Sequence, residues 1–335
     1  MRNSKIHISI LSMVLSLILY IPIVQSETSM SVVDDAIQNL DDKTRSYYEL
    51  NSQNITELKK AAYDTSRPTK ERTAALDELD FRFHILSVGV ARDLVGDGDV
   101  GVATAAIELL SASIAMSDFH SLLAGKDLSP NQIVVKQSHE KTRSVLRNAL
   151  EDPRPSVRTL AAEILASLSD EQALEMIQTG VRNGLYTARQ AVNYFGLSDS
   201  KVGGKFILPY LDSESTDAQL SAVGYLGAYE SFQHEVRDNV FLNPNAKPDV
   251  RAESANILGK YDKGFTLYAD EVTSDPVVPL NVYTNTVNSY IEQKGKEGDW
   301  TSEEKAAVQS SINKYEMFNP GVDLSAVSGR LNQGF

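Results

Sequence analysis

Asp152-Pro153-Arg154-Pro155-Ser156-Val157-Arg158-Thr159-Leu160-Ala161-Ala162-Glu163-Ile164-Leu165 decides the reading of this chain. A turn pair opens the stretch and a Val-Arg pair follows. Small residues stand four and five positions after the valine, and apolar ones at seven and eight. Groups at 0, 4, 7 and 8 share one stripe of a helix with 3.6 residues per turn. The frame returns at Pro248-Asp249-Val250-Arg251, with Ser254, Ala255, Ile257 and Leu258. It recurs from Ala218 (Ala222, Val223, Tyr225, Leu226) and from Val102 (Ala106, Ile107, Leu109, Leu110). Looser copies begin at Glu71-Arg72, at Ala188-Arg189 (Val192, Phe195) and at Val282 (Thr286, Val287, Tyr290).

The anchors 71, 102, 157, 188, 218, 250 and 282 are separated by 31, 55, 31, 30, 32 and 32 residues. Five gaps agree within two residues, and each has room for one partner helix and two turns. The partner helices are expected at Arg82–Val95, His139–Leu150, Glu171–Val181, Val202–Leu211, Gln233–Leu242 and Phe265–Val272. Strand signals are sparse; Ile133-Val134-Val135 is the best of them. The expected fold is all-α: a superhelix of about seven helical hairpins in one array over 54–292, each burying its stripe against its neighbours. A helical cap segment over 27–53 precedes it, and a cap helix and tail over 293–335 follow. Thr301-Ser302-Glu303-Glu304 is a capping box opening that last helix, with Trp300 over its first turn and a loose tail beyond Asn319-Pro320-Gly321. The 55-residue gap implies a loop-rich insertion near 117–137, around Gly125, Pro130 and Asn131.

At the Asp-Pro-x-x-x-Val-Arg-x-x-Ala-Ala element the chain resembles the HEAT-repeat superfamily, in its short bacterial form of roughly thirty residues. The resemblance spans about residues 54–292 and implies a right-handed α-solenoid with a scaffold or binding role. Some short HEAT-like proteins act in bilin attachment. The leader described next and the lack of cysteine give that role no support here.

Arg2 and Lys5 precede an apolar stretch from Ile6 to Val24, broken by Pro22 before Val24-Gln25-Ser26. This pattern predicts a secretory signal peptide over 1–26, with an uncleaved anchor as the rival reading. After cleavage no later segment is apolar enough for stable membrane insertion. The 335 residues contain no cysteine, so disulfides, thiolate metal sites and cysteine catalysis are excluded. An exported protein of this size without cysteine is expected to be periplasmic or secreted from a bacterium. The net charge of -13 argues against nucleic acid as a partner.

Positions 2 and 6 after each anchor lie on a face turned away from the buried stripe. Position 6 carries Asp77, Glu108, Glu163, Tyr194, Gly224, Asn256 and Asn288; position 2 carries Thr73, Thr104 and Thr159 in the first three copies. In HEAT-like stacks the anchored helix lines the concave side. The resemblance therefore implies a groove with an acidic, threonine-edged first half. We select Asp77, Glu108, Glu163, Tyr194 and Asn256 as candidate contacts for another protein or peptide of basic or polar character. The bland alternative is a solvated face of an acidic protein. The recurring arginines Arg72, Arg158, Arg189 and Arg251 are expected to bond carboxylates and helix-end carbonyls.

Catalytic patterns fail on context. Gly96-x-Gly98-x-x-Gly101 spells a dinucleotide fingerprint but follows a helix, so Asp97 and Asp99 are read as helix caps. His139-Glu140 and His234-Glu235 lack a second histidine at zinc-protease spacing. The chain reads as non-catalytic, with no catalytic residue, metal or cofactor expected. The rivals are an accessory or maturation subunit of a periplasmic enzyme, and a metal-dependent enzyme using Asp118, His120 and His139 around the insertion.

Overall fold

The computed structural model describes residues 41–124, 130–298 and 300–333, with side chains outside 116–138, 297 and 333. The expected signal peptide and the start of the N-terminal cap segment lie outside these residues. Every regular element among the described residues is helical, and Ile133-Val134-Val135 falls within a helix. The all-α helical-hairpin architecture is therefore as the repeat predicts. The chain divides into two compact units, up to Leu168 and from Ser169.

The first unit contains α1 (Asp42–Leu50), α2 (Ser52–Tyr63), α3 (Thr69–Leu94), α4 (Val100–Ala124), α5 (Pro130–Asn148) and α6 (Pro155–Ser167). α3 holds two helices that meet at a kink at Phe83, whose φ of -139° and ψ of 49° leave the helical region. The buried Phe83 ring fills that bend and meets Tyr47 and Tyr48, each at 5.7 Å between centroids. Burial pushes the Tyr48 hydroxyl up to about 12. The expected loop-rich insertion is largely helix, because α4 has 25 residues and α5 has 19 against 13 in α6. Pro130 opens α5 at the first helical position, where the missing N–H costs nothing.

The second unit contains α7 (Glu171–Arg182), α8 (Ala188–Phe195), α9 (Ser200–Ile207), α10 (Thr216–Gly227), α11 (Gln233–Val236), α12 (Pro248–Tyr261), α13 (Phe265–Thr273), α14 (Leu280–Glu297), α15 (Ser302–Phe318) and α16 (Ser325–Gln333). A π-helical turn over Arg237–Phe241 extends α11. The partner helices thus fall where the spacing places them.

Burial follows the stripe. Val157, Ala161, Ala162 and Leu165 in the first unit are 0% exposed, as are Ala255 and Leu258 in the second. Hydrogen bonds recur at the period of the repeat. Tyr63 donates to Asp93 at 2.7 Å, the Asp199 amide to the Ser169 hydroxyl at 2.8 Å, Asn281 to Asp249 at 3.0 Å and Gln293 to the Asp262 carbonyl at 2.7 Å. Three glycines set how closely the hairpins stack. A Cβ on Gly196 would stand 2.3 Å from the Tyr225 ring; on Gly227, 2.5 Å from Ile257; on Gly259, 2.4 Å from Ser289. Each glycine lies in the last turn or at the cap of one stripe helix and seats position 7 of the next.

The buried Arg72 and Arg251 each donate Nε to a carbonyl ten residues back, Ala62 at 2.9 Å and Phe241 at 3.1 Å. They cap the preceding helix, as expected, and Arg72 also grips the Asp97 carboxylate through both terminal nitrogens. The capping box forms at Thr301 and Glu304. Hydrogen bonds from the Thr301 amide first, then Lys294, hold the Glu304 carboxyl at about 2. Lys305 lies 5.5 Å from the centre of the Trp300 ring, which places that ring on the first turn of α15. α15 covers the α13–α14 turn by donating to its carbonyls, Ser311 to Thr273 at 2.8 Å and Tyr315 to Val278 at 2.6 Å. The tail beyond 321 is not loose. It forms α16, with Leu324, Val327 and Leu331 buried and Arg330 donating to Asn288 at 2.9 Å.

Candidate functional site

In the first unit three of the candidate contacts are acids on successive stripe helices. Asp77 lies on α3, Glu108 on α4 and Glu163 on α6, all exposed. α4 packs against both α3 and α6, so the three sit on adjoining elements. None of the three makes a hydrogen bond or ion pair among the described residues. Other acids of the first unit are paired. Arg82 reaches Glu78, Arg67 reaches Asp64 and Glu71, and Arg147 reaches Glu140 at 2.7 Å.

The first two carboxyls are perturbed in the unfavourable direction. Loss of hydration from surrounding protein, then the neighbouring Asp80 charge, raises Asp77 above its ordinary value. Loss of hydration, then the Asp77 charge, raises Glu108. An exposed carboxylate that is still poorly hydrated has protein around it on several sides. Like charges on adjoining helices add to the cost and leave an unmet demand for positive charge. The flanking hydroxyls turn back to their own helices: Thr73 donates to the Lys70 carbonyl at 3.3 Å and Thr104 to that of Val100 at 2.9 Å.

Tyr194 and Asn256 belong to the second unit. Asn256 is exposed and donates to Glu253 at 3.2 Å. Tyr194 is only 6% exposed, with its ring edge-on to Tyr186 at 5.8 Å. The error is one of register. The buried residues Ala191, Val192, Tyr194 and Phe195 align with Ala161, Ala162, Ile164 and Leu165 only if the anchor is Thr187 and not Ala188. One residue is about 100° of helix rotation. The shift makes Tyr194 a stripe residue at position 7 and leaves the exposed Asn193 at position 6. Gly196, which then aligns with Gly227 and Gly259, was the signal available in the sequence.

Other singled-out residues have structural duties. Asp99 accepts from the Gly101 amide at 2.8 Å and the Val102 amide at 3.3 Å, capping α4, and Asp97 accepts from the Asp99 amide at 2.8 Å. His234 lies 3.3 Å from its neighbour Glu235. No group of three or more His, Asp or Glu among the described residues is arranged to hold a metal. The side chains of Asp118 and His120 lie outside the described residues. No described helix is long and apolar enough to cross a membrane. The sequence reading missed a cluster of cations, Lys59, Arg92 and Lys141, around a cavity in the first unit. They come from three helices and share no spacing, so no sequence signal marks them.

No known family profile matches the chain, and no curated protein does. Among solved structures, the complex of CpcE and CpcF of phycocyanin lyase from Nostoc sp. PCC7120 is 14% identical, covering 90% of this chain and 100% of that one, with a TM-score of 0.29. Human deoxyhypusine hydroxylase in complex with glycerol is 13% identical, covering 80% of this chain and 97% of that one, with a TM-score of 0.27. Similarity at this level leaves function to be read from the chain's own residues.

Proposed function

We propose that this is an exported, non-catalytic binding or scaffold protein built from short HEAT-like repeats. Its acidic face, Asp77, Glu108 and Glu163, engages a basic or polar segment of another protein. The observation that carries this is the row of exposed, unpaired carboxylates, two of them raised by loss of hydration and then by a neighbouring like charge, Asp80 for Asp77 and Asp77 for Glu108. Such a row does nothing for folding, and a lysine- or arginine-bearing partner would relieve it. The basic start and apolar stretch from Ile6 to Val24 support export.

The test uses a lysine-rich peptide as probe, with binding followed by fluorescence anisotropy. Charge reversal at all three positions (Asp77→Lys, Glu108→Lys, Glu163→Lys) is expected to abolish binding while the helical circular dichroism stays unchanged. Binding should also weaken with salt, as exposed charge contacts do. Equal binding by the parent and the triple variant would refute the acidic-face reading. N-terminal sequencing of protein from the envelope fraction is expected to begin at Glu27; an intact Met1 would refute cleavage.

A further inference from the structure

In the first unit a cavity of about 420 Å³ opens between α2, the second half of α3 and α5. Its wall carries Lys59 from α2, Arg92 from α3 and Lys141 from α5, over a floor of Leu86, Val90 and Val145. The acidic row lies on the stripe helices, whereas this cavity belongs to their partner layer. We propose that it binds a small organic anion through a carboxylate or phosphate group. This site is independent of the acidic-face reading.

Three observations converge. First, none of the three cations makes an ion pair or hydrogen bond among the described residues, in a chain whose acids outnumber its bases by 45 to 32. The one acid on the wall, Asp93, is engaged by the Tyr63 hydroxyl at 2.7 Å. Second, Arg92 buries its Nη1 with no hydrogen-bond partner, and a buried unmet donor is costly. A modest turn of the guanidinium toward the cavity would let a ligand oxygen meet it. Third, the site sets three cationic side chains beside the apolar Leu86, Val90 and Val145. An oxyanion would lie between the forked guanidinium and the two ammonium groups while a short carbon skeleton rests on Leu86, Val90 and Val145. The volume falls at the small end of the range for small-molecule sites.

The full chain is titrated calorimetrically at constant ionic strength with succinate, with inorganic phosphate, and with glycerol as the uncharged control. Saturable binding of succinate, of phosphate or of both is expected, and none of glycerol; the stronger of the two identifies the preferred oxyanion. Lys141 is exposed, so Lys141→Gln should fold normally and weaken binding at least about tenfold, with Arg92→Gln weakening it further. Glu163→Gln, on the acidic face, should leave it unchanged. No saturable binding of either anion at millimolar concentration, or equal binding by Lys141→Gln and the parent, would overturn the proposal.

Discussion

Arg72 and Asp77 share α3, yet they contribute to stability with opposite sign. Arg72 is 2% exposed and closes both the Ala62 carbonyl and the Asp97 carboxylate. Removing it strands a nearly buried carboxylate, so Arg72→Ala is expected to cost about 3–5 kcal/mol in denaturant unfolding. The hydrogen bond from Arg72 holds the Asp97 carboxyl below its ordinary value. Its contribution is therefore complete above about pH 4 and is lost as pH falls through the depressed value. Asp77 and Glu108 are raised, so the sign reverses: the fold favours their protonated forms, and the penalty grows as pH rises through the ordinary carboxyl range and is complete above the raised values. Asp77→Asn with Glu108→Gln should raise Tm at pH 7 and give no gain at about pH 3. An unchanged Tm at pH 7 would mean that the two carboxylates are as well hydrated as any surface pair. The acids themselves were legible in the sequence because they repeat on the stripe frame. The pressure of the Asp77 charge on Glu108 was not, since it depends on how α3 and α4 pack.

Between elements, spacing is set by small residues. Gly196, Gly227 and Gly259 hold equivalent places, and each accepts the position-7 side chain of the following hairpin. Gly227→Ala puts a methyl group 2.5 Å from Ile257, a case of overpacking expected to cost roughly 1–3 kcal/mol. Gly224, on the same helix with nothing within 4 Å of its Cβ position, should accept alanine without loss. Thermal unfolding of the two variants side by side checks this, and equal midpoints would contradict the seating. Helix positions were readable because one face of each had to be apolar and the turns carried caps. The register of α8 was readable only from Gly196, since an eight-residue helix offers two neighbouring frames that the apolar pattern alone does not tell apart. The repeat placed a break just before Arg82, and the bend falls at Phe83, where aromatic packing with Tyr47 and Tyr48 sets its position. α16 carries only three buried apolar residues, too weak a pattern to distinguish from a tail before Asn288 and Glu316 are in place to receive it.

For the whole chain, one apolar stripe repeated about every 31 residues accounts for the helices, the buried arginines and the faces left exposed. The division into two units after Leu168 leaves no trace in that beat, since the frame at 157 runs on to the next copy with unchanged spacing. The cationic cavity was equally silent, because charge that converges from α2, α3 and α5 has no period. Hydrogen–deuterium exchange read residue by residue tests the repeat most directly. The amides of the stripe helices should form slow-exchanging blocks recurring at about 31 residues, with the slowest around Ala161, Val223 and Ala255 and rapid exchange in the turns between. Protection without that period, or a slow block whose amides report strand pairing, would contradict the account.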